Sequence, residues 1–246
     1  MRALLPKMTH AERCARAAAK QQILLEFLAS GEVYTTTDIA TDLLQITRRR
    51  AAACLAALER AGALKSETHS VNARQIKIYG VTPHGLAMAD APASAPYFEL
   101  GRTNPAWINH RLDTQRMRIH AEGASWSDWT PERALRLQSL KKIPDAVATN
   151  PAGSRIAIEI ERFAKTPKRY GELICAYLQE IKSGKYEEVH FVSPPGIERL
   201  IQNAFRKVES VKFNGEIVKL EAKHFARFKF FSFSDWPPCE GELSHD

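Results

Sequence analysis

The stretch Arg155-Ile156-Ala157-Ile158-Glu159-Ile160-Glu161 alternates between isoleucine and other side chains, and it restricts the fold of this chain more than any other feature. A period of two belongs to an extended strand, with Ile156, Ile158 and Ile160 on one face and Ala157, Glu159 and Glu161 on the other. The turn signal Asn150-Pro151-Ala152-Gly153 separates it from an earlier apolar run, Ile143 to Ala148, so the two runs predict a pair of joined strands. Asp145 lies on the earlier run. If pairing sets it across from the glutamates, three acids converge at the edge of a buried sheet. Such a cluster repels itself unless a cation lies among its oxygens, and Mg²⁺ or Mn²⁺ suits hard oxygen ligands. The same spacing also allows Glu159 and Glu161 to face solvent and pair with lysines, and it does not choose between these readings.

The 246 residues suffice for a module of ~90 residues and another of ~140. Hydrophobic residues make up 44% and charged residues 26%, which excludes a disordered or membrane-embedded chain. No apolar run reaches the length of a membrane span. The basic opening, MRALLPKMTHAERCARAAAK, meets Glu12 before any apolar stretch of signal-peptide length, so a cytoplasmic protein is expected. Cys14, Cys54, Cys175 and Cys239 are dispersed and form no CxxC pair, which reads as reduced thiols and no zinc knuckle. Lys and Arg number 35 against 28 Asp and Glu, a formal charge of +7 that favours a polyanionic partner without proving one.

In the N-terminal part, Ile23, Leu24, Phe27 and Leu28 keep a helical period up to Gly31. Thr35 and Asp38 match a capping box before a second helix that buries Ile39, Ala40, Leu43 and Leu44. Thr47 caps a third helix through Ala61, with Ala51, Leu55 and Leu58 on one side and Gly62 as its stop. Two strands, Ala63 to Thr68 and Gln75 to Val81, then flank a polar loop from His69 to Arg74. Three helices followed by this loop read as a winged helix, and Tyr79-Gly80-Val81-Thr82-Pro83-His84-Gly85-Leu86 resembles the strand-to-helix exit of winged-helix regulators. Arg48, Arg49 and Arg50 begin the third helix, where a recognition helix enters the major groove, and Arg74 lies in the wing. The bland alternative is that the arginines only solubilise a helix end. The helix dipole disfavours cations there, which argues for another use.

Residues 1–90 are therefore expected to form a winged-helix DNA-binding domain, 91–106 a proline-rich linker, and 107–246 a second domain. The latter opens with a helix, Trp107 to Glu122, carrying His110 and His120, nearly three turns apart and too distant to share a metal. Tyr170 and Tyr177 share a helical face with Leu173, Ile174, Leu178 and Ile181, which favours a place in the core. Glu188 to Ser193 and Phe225 to Phe233 read as strands around a helix from Ile197 to Val208. The phenylalanines there suit a sheet core better than base stacking.

Pro144-Asp145 followed after a turn by Glu159-Ile160-Glu161 resembles the core of the PD-(D/E)xK nuclease superfamily. With His110-Arg111-Leu112, Trp129-Thr130-Pro131-Glu132 and the preceding winged helix, the pattern is similar to the replication-relaxation family and its MobC-type plasmid mobilisation relaxases. That resemblance implies an α+β and α/β chain, a winged helix-turn-helix followed by a restriction-endonuclease-like domain with a mixed central sheet. It implies metal ligation by Asp145 and Glu159 with the carbonyl of Ile160, a Mg²⁺ or Mn²⁺ cofactor, and nicking of double-stranded DNA at a plasmid transfer origin, with an accessory mobilisation or coupling protein as a further partner. Relaxases commonly use a tyrosine nucleophile, so Tyr170 and Tyr177 are weighed for that role too. The chain departs from the motif at Glu161, where the superfamily has lysine. Either Glu161 adds a ligand, or Lys165 supplies the missing cation, or the fold persists without activity as a replication or transcription regulator.

Overall fold

A computed structural model describes residues 8–213 and 215–238, so Cys239 lies outside the described residues. The chain divides into two compact units, Met1–Gln115 and Arg116–Asp246.

The first unit begins with α1 (His10–Phe27), where Thr9 and Glu12 form a reciprocal capping box. A wider turn, Leu28–Glu32, ends it, and Gly31 adopts φ 116°, which favours glycine. β1 (Tyr34–Thr35), α2 (Thr37–Leu44) and α3 (Arg48–Arg60) follow, then the hairpin of β2 (Leu64–Val71) and β3 (Arg74–Val81), and α4 (Pro83–Met88). Leu24, Leu25 and Leu28 of α1 pack with Ala40, Leu55, Leu58, Leu64 and Val81 into one core. The expected face of α1 holds at Leu24, Phe27 and Leu28, whereas Ile23 is exposed and Leu25 is buried in its place.

Three further expectations need correction. The cap of α2 is Thr36, whose hydroxyl accepts from the Ile39 N–H, because Thr35 is occupied in β1 opposite Tyr79. The polar loop from His69 to Arg74 is mostly strand, since β2 and β3 pair as far as Val71 opposite Arg74. Only Asn72 and Ala73 turn the chain, with φ 49° and 60°, the left-handed pair that a two-residue hairpin requires. Arg74 is thus a strand residue beside that turn. β1 adds to β3, giving the order β1-β3-β2.

The stretch after α4 lies on this unit. Ala91 and Ala95 pack against its core, and the Phe98 N–H donates to the Val81 carbonyl at 2.8 Å. The Phe98 ring covers Gly80 so closely that a Cβ there would overlap it.

The division between the units falls within α5 (Pro105–Gly123). In the second unit come β4 (Ser127–Pro131), α6 (Glu132–Leu135), β5 (Ala146–Thr149), β6 (Arg155–Ile160), α7 (Pro167–Lys182), β7 (Glu188–Ser193), α8 (Ile197–Arg206), the small hairpin β8 (Ser210–Phe213) and β9 (Glu216–Lys219), α9 (Ala222–Phe225) and β10 (Phe228–Ser232). The main sheet is mixed, in the order β10-β7-β6-β5-β4. β6, β7 and β10 run parallel, whereas β4 and β5 are antiparallel additions. Helices α7 and α8 provide the crossovers that parallel neighbours need.

The alternation of β6 assigns its two faces. Ile156, Ile158 and Ile160 pack with Met117, Ala121, Trp126 and Trp236. Ala157 packs on the opposite side with Tyr170, Leu173, Ile174, Tyr177 and Phe191. The sheet is therefore covered on both faces, as a parallel sheet must be. Among the described residues no helix is long and apolar enough to cross a membrane.

Candidate active site

β5 and β6 pair antiparallel with Ala146 opposite Ile158, so one further step of the register sets Asp145 beside Glu159. Asp145 precedes β5 and does not lie within it, yet its place is held twice. Its carbonyl accepts from the Glu132 N–H at 2.9 Å, and its carboxylate Oδ2 accepts from the Ile160 N–H at 2.7 Å. The resemblance implied a role for the Ile160 carbonyl; the hydrogen bond seen here is made by its amide.

Glu159 is 4% exposed, on the face of β6 that meets α7. The Lys142 ammonium lies 2.6 Å from its Oε1, and the Tyr177 hydroxyl donates to the same oxygen. Burial, followed by the neighbouring Asp145 charge, pushes the Glu159 carboxyl up to about 7, with Lys142 and Lys165 opposing the rise. Lys142 was missed in the sequence. Its only signal was the Lys141-Lys142 doublet just ahead of Pro144-Asp145.

Glu161 is also buried, and Lys165 forms an ion pair with it across the loop from β6 to α7. Burial lowers the Lys165 ammonium from the ordinary lysine range, while the Glu159 charge works against that shift. Neither sequence reading of the two glutamates holds entire: both are buried, and both are paired with lysines. The expected convergence of three acids reduces to Asp145 beside Glu159, since among the described residues no group of three or more Asp, Glu, His or Cys side chains is assembled to hold a metal.

Two adjacent carboxylates still fit a hard divalent cation. Mg²⁺ is commonly held by one or two carboxylates, with substrate phosphates and water completing its shell. The mutual repulsion that raises Glu159 is relieved by any cation placed between the two acids.

Tyr170 and Tyr177 are both fully buried in the core against Phe191. Their hydroxyls have partners: that of Tyr177 meets Glu159, and that of Tyr170 accepts from the Lys165 N–H at 3.0 Å. Burial raises the Tyr170 phenol, which disfavours the phenolate a nucleophile needs.

In the first unit, Arg48, Arg49 and Arg50 occupy the first turn of α3 and are exposed. Arg48 pairs with Asp38 at 2.8 Å. Arg50 lines a cavity of about 440 Å³ together with Arg13, Arg16 and Lys20.

Comparison with family models, with curated proteins and with solved structures gives no match for this chain. Its function is therefore read from its own residues and their geometry.

Proposed function

We propose that this chain is a site-specific, metal-dependent DNA-nicking endonuclease of the relaxase kind. In this reading the first unit is a winged helix that holds duplex DNA through α3 and the β2–β3 hairpin, and the sheet of the second unit is a PD-(D/E)xK-like nuclease core. The observation that carries it is the placement of Asp145 beside Glu159 where β5 begins and β6 ends, with Lys142 paired to Glu159 and Lys165 paired to the neighbouring Glu161. Such a group of opposed charges has a use where a phosphate must be bound and attacked.

Asp145 and Glu159 would hold Mg²⁺ or Mn²⁺, which when bound lowers the pKa of water and offsets phosphate charge. The amides of Glu132 and Ile160 keep Asp145 in place by binding its carbonyl and its carboxylate. Lys142 neutralises Glu159, and Tyr177 fixes the orientation of that carboxylate. Lys165 would supply the cation that the superfamily motif places at position 161, with Glu161 as its anchor. A plasmid transfer origin as the target, and an accessory mobilisation or coupling protein as a partner, follow from the resemblance to MobC-type relaxases.

The test is incubation of the pure protein with supercoiled DNA carrying the transfer region of its own plasmid, with and without Mn²⁺. Conversion to open circles is expected, and a binding shift without conversion would reject the nuclease.

A second reading is a replication or transcription regulator that keeps the nuclease fold as a platform. It is favoured by one observation: Lys142 and Tyr177 together satisfy one oxygen of Glu159 with groups of the chain itself.

A further inference from the structure

Helices α1 and α3 line a cavity of about 440 Å³ in the first unit. α1 gives it Arg13, Arg16, Ala17 and Lys20, one face at the helical spacing. α3 gives it Arg50, Ala53, Cys54 and Ala57 at the same spacing. Four of these residues are cations, and no acid is among those that line the cavity. Two of the cations are met by neutral groups: Arg13 donates to the Met8 carbonyl at 2.9 Å, and Lys20 donates to the Leu44 carbonyl at 3.0 Å. Glu12, next to Arg13 in sequence, is turned to the helix cap, where its carboxylate accepts from the Thr9 N–H at 2.7 Å. Arg50 lies in the first turn of α3, where the helix dipole adds positive potential. Like charges gathered round one cavity repel, and a bound anion relieves that repulsion.

The wall between the cations is apolar. Ala17, Ala53, Ala57 and Ile46 offer no hydrogen-bonding side chain, and burial pushes the Cys54 thiol up, with Lys20 opposing. Size limits the occupant as charge does. One turn of an α-helix with its side chains, about 10 Å across and 5.4 Å high, fills on the order of 420 Å³, so the cavity takes no more than a turn of a partner helix. A DNA duplex is wider still, and it can reach the cations at the rim but not the apolar wall. The stretch Met1 to Lys7 carries Arg2 and Lys7 and no acid, so it does not neutralise the site. A compact ligand with an apolar body and an acidic head meets both the volume and the lining.

We propose that this cavity is an effector site for a small organic anion, and that the anion and DNA exclude one another because both require Arg50. The exclusion rests on the proposed winged-helix function, in which Arg50 faces DNA; the cavity and its charge do not.

The full-length protein is titrated with anilinonaphthalene sulfonate, an apolar anion that fluoresces when it leaves water, and with phenylnaphthylamine, the same rings without the sulfonate. The sulfonate is expected to saturate with a rise in fluorescence, and the neutral analogue to bind at least tenfold more weakly. Arg16→Gln and Lys20→Gln should each weaken the sulfonate about tenfold, the loss of one charge-assisted contact. Ala57→Phe, which fills the cavity and leaves its charges, should remove the signal. Arg199→Gln, exposed on α8, should change nothing. Duplex DNA should displace the sulfonate from the wild type, whereas inorganic phosphate at the same concentration as the sulfonate should not. No rise in the wild type, equal binding of the neutral analogue, displacement by inorganic phosphate, or full binding by Arg16→Gln, Lys20→Gln and Ala57→Phe would overturn the site. Simultaneous binding of sulfonate and duplex would overturn the exclusion. Sulfonate binding with its charge dependence intact, in a protein that binds no DNA, would support the site while removing the winged-helix function.

Discussion

The Ile160 N–H donates to Asp145 Oδ2 at 2.7 Å, so one acid of the proposed site also ends the backbone ladder between β5 and β6. Asp145→Asn keeps an oxygen for that bond and should fold. It loses the anionic oxygen a hard metal needs, so nicking should fall by orders of magnitude, and Glu159→Gln should behave alike. DNA binding in chelator should hold or tighten, because less negative charge faces the phosphates. Nicking gels beside binding gels measure both, and full nicking by the two folded variants would reject the site.

Glu159 gives stability a definite pH dependence. Its folded carboxyl titrates near 7 against an ordinary value of 4.5, so between these limits the folded state holds more protons than the unfolded one, and stability falls as pH rises. The effect is on the order of 3 kcal/mol across the window. Thermal melts from pH 4 to 8 should show the decline, and Glu159→Gln should flatten it. Lys142→Met removes the cation that opposes the shift, so the decline should extend to higher pH. A wild-type profile as flat as that of Glu159→Gln would count against this burial.

Tyr177→Phe leaves the ring in the core and removes only the hydroxyl that meets Glu159. Nicking should stay within about tenfold of wild type, with its pH dependence moved upward, because the ionised carboxylate loses a donor. Tyr170→Phe should cost about 1 kcal/mol, since the Lys165 amide loses its acceptor. Complete loss of nicking in either folded variant would instead favour a tyrosine nucleophile.

How much of this was legible follows from which interactions are local. The isoleucine period of β6 named both faces of the sheet, since alternation is a property of one strand. Among three consecutive threonines, the choice of Thr36 as cap depends on β1 pairing with the distant β3, which no local pattern records. The β2–β3 hairpin was underestimated because Asn72-Ala73 lacks the usual glycine. Lys142 was invisible for a different reason: a lysine ahead of a strand is ordinarily solvated, and only the packing of α7 buries the carboxylate it meets.

The arginines of α3 make a separate claim. Changing Arg48, Arg49 and Arg50 to alanine should weaken DNA binding without unfolding, because all three are exposed and the Arg48–Asp38 pair is a surface one worth little. For every phosphate that one of these guanidinium groups neutralises, its removal should flatten the slope of log affinity against log salt by ~0.9. An unchanged slope in the triple variant would remove them from the interface.

Ala73 holds φ 60° at the tip of the β2–β3 hairpin, a conformation that costs a residue with a Cβ roughly 1 kcal/mol relative to glycine. Ala73→Gly should therefore raise the melting temperature by a few degrees. A lower one would show that the turn is not strained.

Asp145 and Ile160 are 15 residues apart, and the whole carboxylate pair is carried by one antiparallel connection. The elements that shield it arrive otherwise: β7, which sets Phe191 beside Glu159, reaches β6 only through the α7 crossover, and β10 joins β7 from further along the chain. Closing a short loop costs less chain entropy than closing a long one, and nearby pairs form faster than distant ones. During refolding the acids should therefore meet early, while still in water. Amides of β5 and β6 are expected to gain hydrogen-exchange protection before those of β7 and β10, so the repulsion between Asp145 and Glu159 is first felt in a solvent that screens it and grows only as the later strands close over them.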